Sequence, residues 1–129
     1  MSNYAFGKTV PMAFDAAVDK VTQELAKEGF GVLTTIDVAA TLKAKLGQDL
    51  PSYKILGACN PQFASQALAA EPQIGALLPC NVVVRRDAAG STHVEFMDPN
   101  AVLRLVDHPA VGALAGQVRE RLVRVMDSL

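Results

Sequence analysis

Tryptophan is absent from this chain of 129 residues, and aromatic residues make up only 5% of it. An aromatic cage for a cation therefore has little to be built from. The 50% hydrophobic content comes in good part from Ala and Val. Such a core is made of small side chains in close contact, as when helices press on a sheet. An excess of charge of one sign is also missing. Twelve basic and 13 acidic residues leave a net charge of −1. Nucleic-acid binders carry a basic face that displaces counterions, so no nucleic-acid partner is expected. The densest basic cluster, Arg119, Arg121 and Arg124, is interrupted by Glu120 and Asp127, and its spacing is that of a solvated helix face.

Long apolar runs are lacking too. None approaches the roughly 18 to 20 residues that span a bilayer, so no membrane partner is expected. Met1 to Val10 shows no basic start followed by an apolar stretch, so no signal peptide is read there. With two cysteines, Cys59 and Cys80, a disulfide framework is not needed. A chain of this length buries roughly two-thirds of its unfolded surface as one domain, here 1–129. The simplest placement is cytoplasmic, with both thiols reduced.

The familiar chemical motifs are absent as well. The chain has no glycine-rich phosphate loop, dinucleotide fingerprint, metal-binding His pair or nucleophile elbow. Two lone cysteines with twenty residues between them are no zinc signature, because a structural zinc takes four ligands.

What is present is a clear alternation of elements. Asn3 to Val10 reads as a strand, and Pro11 suits the first turn of a helix. Phe14, Val18, Val21 and Leu25 recur at helical spacing, and Gly29 stops that helix. Gly31 to Ile36 is β-rich. Asp37 then caps a short helix over Val38 to Leu46, closed by Gly47. Tyr53 to Cys59 reads as a strand. Asn60-Pro61 opens a helix with Asn as cap and Pro in the first turn. It runs until Pro72, and a short piece over Ile74 to Leu78 follows. Cys80 to Arg86 and Thr92 to Met97 flank a Gly-containing loop and form a hairpin. Asp98-Pro99-Asn100 turns the chain. Asp107 is expected to cap the last helix, whose stripe is Val111, Leu114, Val118, Leu122 and Val125. Gly112 and Gly116 suit close packing of that helix against the sheet or another subunit. The fold class is α+β: a two-layer, mostly antiparallel sheet of about five strands with two long helices on one face. Apolar residues on both parities of the strands leave an open sheet face, and a second copy of the chain is the simplest cover.

The candidate site residues are Asp37, Tyr53, Cys59, Asn60, Cys80 and His93. Each has a bland reading. Asp37 is first a helix cap. His93 alternates with Glu95 and Met97 on one strand face, either solvated or the wall of a polar groove. Each cysteine sits where a β-rich run meets a proline turn. Cys59 shares parity with Ile55 and Tyr53, and Cys80 with Val82 and Val84; if those parities mark one face, both sulfurs lie on it. A helix N-terminus after Cys59 favours a thiolate there, although a core cysteine is the commoner outcome. No spacing promotes any residue to a catalytic set.

The runs Gly29-Phe30-Gly31-Val32-Leu33, Ile36-Asp37-Val38, Tyr53-Lys54-Ile55-Leu56-Gly57-Ala58-Cys59-Asn60-Pro61 and Leu77-Leu78-Pro79-Cys80-Asn81-Val82 resemble the domain-of-unknown-function family numbered 302. The similarity covers nearly the whole chain. It implies a two-layer α/β fold, helices on an antiparallel sheet, and commonly a homodimer. It brings no function. Family motif positions map onto Asp37, Tyr53, Cys59, Asn60, Pro61, Pro79 and Cys80 without a role for any of them.

Three readings are open. The first is a dimeric module that binds a small molecule or a partner without catalysis. The second is a thiol protein handling redox equivalents or sulfur, with Cys59 as nucleophile and Cys80 as resolving thiol. The third is soft-metal or haem binding through Cys59, Cys80, His93 or Met97. The cofactor is unknown.

Overall fold

The structure is a computed structural model that describes residues 3–129. Five strands form one antiparallel sheet: β1 (Ala5–Val10), β2 (Gly31–Asp37), β3 (Tyr53–Cys59), β4 (Cys80–Arg86) and β5 (Thr92–Met97). Their spatial order is β1-β5-β4-β3-β2. Helix α1 (Phe14–Lys27) carries the chain from one edge strand to the other. The remaining helices are α2 (Val38–Leu46), α3 (Pro61–Ala70), the single turn α4 (Pro99–Val102) and α5 (Pro109–Asp127). Short 3₁₀ segments cover Pro72–Leu77 and Leu103–Leu105. The α+β architecture read from the sequence is the one observed.

Strand alternation sorts the sheet into two faces. Leu56, Val82, Val84, Val94 and Phe96 point to one side and are fully buried under α1 and α5. From the helix side, Ala17, Val21 and Leu25 of α1 and Val118, Leu122 and Val125 of α5 complete this larger cluster. A smaller cluster joins Ala67, Ile74, Leu103, Val111, Leu114 and Ala115.

The opposite face is only partly buried. Its central row, read from the pairing register, runs Ile36, Ile55, Val83, Glu95 and Gly7 across the five strands. Ile36 is 50% exposed. The half of this face on β4 and β5 carries paired charges. Arg85 donates to Glu95 at 2.7 and 3.1 Å, and this ion pair holds the Glu95 carboxyl below its ordinary range.

Local details differ from the sequence reading in four places. Pro11 is not in a helix: β1 stays paired through Val10 opposite Thr92, so the chain needs residues 11–13 to turn, and α1 begins at Phe14 with Ala13 before it. The cap of α5 is His108, not Asp107. Pro109 occupies the first helical position, which makes its predecessor the cap, and His108 Nδ1 accepts from the Ala110 amide at 3.1 Å. Gly112 and Gly116 do not press α5 against the sheet, because a Cβ at either would meet nothing within 4 Å. They fall beside the buried stripe rather than on it. Finally, Ala58, not Cys59, is opposite Cys80 in the register. The parity of Tyr53 and Ile55 is therefore that of the open face, and strand alternation alone would separate the two thiols.

Candidate functional site

Where the two buried clusters meet they leave a cavity of about 370 Å³. Phe30, Ala58 and Cys80 of the larger cluster wall one side. Ala67, Leu103 and Leu114 of the smaller cluster wall the other. Phe63 belongs to the margins of both clusters and also lines the space. Leu33 and Leu68, 68% and 42% exposed, line it as well and mark its opening to solvent.

Local sequence explains why the space is there. The side chains that α3 turns toward it include Ala64 and Ala67, too short to reach across. Beside it, β2 is irregular: the register shifts between Val32 and Thr34, which leaves Leu33 unpaired. The sheet is also tight at this point. A Cβ at Gly57 would run into Thr34 Oγ1 and Pro79 Cγ, so only glycine lets Thr34 and Pro79, both on the cavity wall, close over β3. The Leu78–Pro79 peptide is cis.

Cys59 and Cys80 both border the cavity, despite their opposite parities. Strand β3 ends at Cys59 and the chain turns at once into α3, which frees Cys59 from strict alternation. Both thiols are free; Cys59 is half-buried and Cys80 buried. Burial pushes the Cys80 thiol up to about 11, with Cys59 nearby adding to the shift. Cys80 is thus a neutral thiol at physiological pH.

Asn60 caps α3 as the sequence implied. Its Oδ1 accepts from the Phe63 amide and its Nδ2 donates to the Glu28 carbonyl, both at 3.4 Å. Arg121 donates to the same carbonyl at 3.0 Å and lays its guanidinium over the Phe63 ring, 5.2 Å from the centroid. The end of α1 is thereby tied to α3 and α5. Among the described residues no Asp, Glu, Lys, Arg or His lines the cavity.

The six candidate residues fall in three places. Cys59, Asn60 and Cys80 come together at the cavity. Asp37 and Tyr53 sit at the other end of β2 and β3, roughly 20 Å away at about 3.4 Å per strand residue. There they share a small recess of about 270 Å³ with Lys54 and Asp15. Asp37 acts as the cap of α2, accepting from the Ala40 amide at 2.9 Å. His93 lies on the open face of β5, in register with Arg85 and through it with Tyr53, at the end of the sheet away from Cys59. His93 is therefore not brought together with the two cysteines. Among the described residues no set of three or more His, Cys, Asp or Glu side chains is placed to hold a metal ion.

His93 has its own network. Its Nε2 lies 2.7 Å from Asp87 Oδ2, and its Nδ1 lies 3.1 Å from Thr9 Oγ1. With the imidazole neutral, Nε2–H donates to the carboxylate and Nδ1 accepts from the hydroxyl. The bond from His93, with backbone bonds from Ser91 and Ala89, holds the Asp87 carboxyl below its ordinary range. Sequence reading missed Asp87, although its place at the start of a Gly-containing hairpin loop was a signal for such a hub. It did not delimit the walls of the cavity either, for which the small residues Ala64 and Ala67 in the helix after Cys59 were a hint.

The model of the family described as "Domain of unknown function DUF302" matches residues 6–129. A crystal structure of an uncharacterized conserved DUF302 protein from Bacillus stearothermophilus is similar over 98% of both chains, with 28% identity and a TM-score of 0.90. No curated protein matches the chain. The chain belongs to the DUF302 family. No helix among the described residues is long and apolar enough to cross a membrane.

Proposed function

We propose that this chain is a small-molecule-binding module without catalysis, and that the cavity between its two clusters is the binding site. One observation carries the reading: the cavity is apolar on nearly every side, has few polar groups and opens to solvent beside Leu33 and Leu68. Ligand sites have this character, and about 300 to 1,000 Å³ is their usual size. No acid–base pair faces the space, and general acid–base chemistry needs one within hydrogen-bond reach of its substrate. The test is a thermal-shift screen of small fragments against the native chain and Ala64→Phe. Fragments that stabilise the native chain but not the filled variant support the reading. Equal shifts in both place binding elsewhere.

The module is a homodimer in this reading, with the open sheet face as the contact. The apolar row Ile36, Ile55 and Val83 supports it, together with the paired charges beside it, which leave little net repulsion between two copies. Light scattering of Ile36→Glu should report a smaller species than the native chain, and a native monomer at high concentration contradicts the contact.

A second reading, thiol chemistry at Cys59, is favoured by the two free thiols that border one cavity. Alkylation of the native chain separates the readings. Rapid labelling of Cys59 near neutral pH supports thiol chemistry, whereas labelling only after unfolding makes Cys59 a packing residue.

A further inference from the structure

The geometry points to an uncharged, apolar ligand of one to two rings, carrying no ionised group, as the occupant of the cavity bordered by Cys59 and Cys80. This deepens the binding reading above and rests on it.

Size comes first. A dry apolar cavity of about 150 Å³ already takes up benzene or xenon. The space here, about 370 Å³, is larger than one ring needs. Charge comes next. Among the described residues no ionisable side chain other than the two thiols lines the walls. An ionised carboxylate or ammonium placed inside would find no counter-ion, and an unpaired buried charge is costly.

The polar groups that are present offer little to a charged partner. Both ends of the Asn60 amide are engaged, one by the Phe63 amide and one by the Glu28 carbonyl. Arg121, over the Phe63 ring, is spent on that ring and the Glu28 carbonyl and does not line the cavity. The other polar side chains are the Thr34 hydroxyl and two thiols. These can meet a hydroxyl or a ring, since sulfur makes favourable contacts with aromatic edges. Phe30 and Phe63 supply aromatic surface of the same kind.

The walls also report their own polarity. Burial, with Cys59 nearby, lifts the Cys80 thiol to about 11, so these surroundings disfavour an ionised group. A ligand carboxylate meets the same surroundings but can lean toward the opening at Leu33 and Leu68. The expected discrimination is therefore on the order of tenfold or more.

The test compares 2-naphthol with 2-naphthoate at neutral pH, which share a ring system and differ in charge. Calorimetry on the native chain should give 2-naphthol the lower Kd by about tenfold or more. Methyl shifts of Leu114 and Val118 should follow the same titration, and Ala64→Phe should abolish it. If Ala64→Phe does not fold, the methyl shifts of the native chain decide alone. Equal binding of the two compounds, or tighter 2-naphthoate, overturns the ligand class while leaving a binding site at the cavity. Binding of neither compound, or shifts confined to other regions, overturns the binding reading and this inference with it.

Discussion

The two halves of the helix layer are built from similar small residues and end in different states of packing. Over β4 and β5, Val84, Val94 and Phe96 are completely buried against α1 and α5, and Phe6 stacks on Phe96 with ring centroids 5.5 Å apart. Over the ends of β2 and β3, the layer consists of α3, the following 3₁₀ segment and the start of α5, and a cavity remains. The difference lies in which residues face the seam. A filled region needs a large side chain opposite each small one. Phe6 and Phe96 stack in the first region, whereas Ala58, Ala64 and Ala67 line the second. A protein held together by the first region can keep the second open.

Truncations should break this symmetry unequally. Phe96→Ala should cost about 3 to 5 kcal/mol, because the residue is fully buried among filled neighbours. Leu114→Ala, on the cavity wall, should cost about 2 kcal/mol, the low end for such a change, since part of its surroundings is already empty. Urea denaturation of both variants decides it; equal losses would mean that the two regions are packed alike.

A smaller effect sharpens the separation of the cavity from the recess at the far end of the sheet. Asp37→Ala should lose on the order of 1 kcal/mol as its cap to the Ala40 amide disappears, and Asp37→Asn should lose little. Neither should alter ligand binding at the cavity. A large and equal loss of binding in both variants, with stability intact, would make Asp37 part of the site.

The smallest effect concerns the polar face. The carboxyls of Asp87 and Glu95 are held below their ordinary values of 3.8 and 4.5 by His93 and Arg85 respectively. Groups depressed in this way stabilise the fold above their unfolded values and lose that contribution as pH falls through the folded ones. Urea midpoints measured from pH 6 down to about 2 should fall less steeply in Glu95→Gln than in the native chain. An unchanged acid limb would remove Glu95 from the account. Both carboxyls are partly exposed, so solvent screening keeps the effect modest.

Much of the framework was legible in the sequence, for local reasons. The stripe Phe14, Val18, Val21 and Leu25, the Asn60-Pro61 helix start and the alternation through Val82, Val84, Val94 and Phe96 are short-range patterns with one structural solution. Caps were less secure. Asp107 and His108 are adjacent candidates, and the first-turn position of Pro109 decides between them. The site was legible only in part. Cys59, Asn60 and Cys80 were singled out, but their meeting depends on pairing Ala58 with Cys80 and on α3 starting right after Cys59. Contributions from Phe30, Leu103 and Leu114 are long-range and leave no mark in any local window. The His93 network likewise joins Thr9 to residues more than 75 positions away.

The most direct measurement is methyl NMR of the native chain under xenon, which enters dry apolar cavities without demanding any particular chemistry. Leu103, Leu114 and Val118, which line the cavity, should shift and saturate, while Val84 and Val94 in the filled region stay unmoved. Shifts spread evenly over both regions, or none at Leu114, would contradict an open cavity between the two clusters.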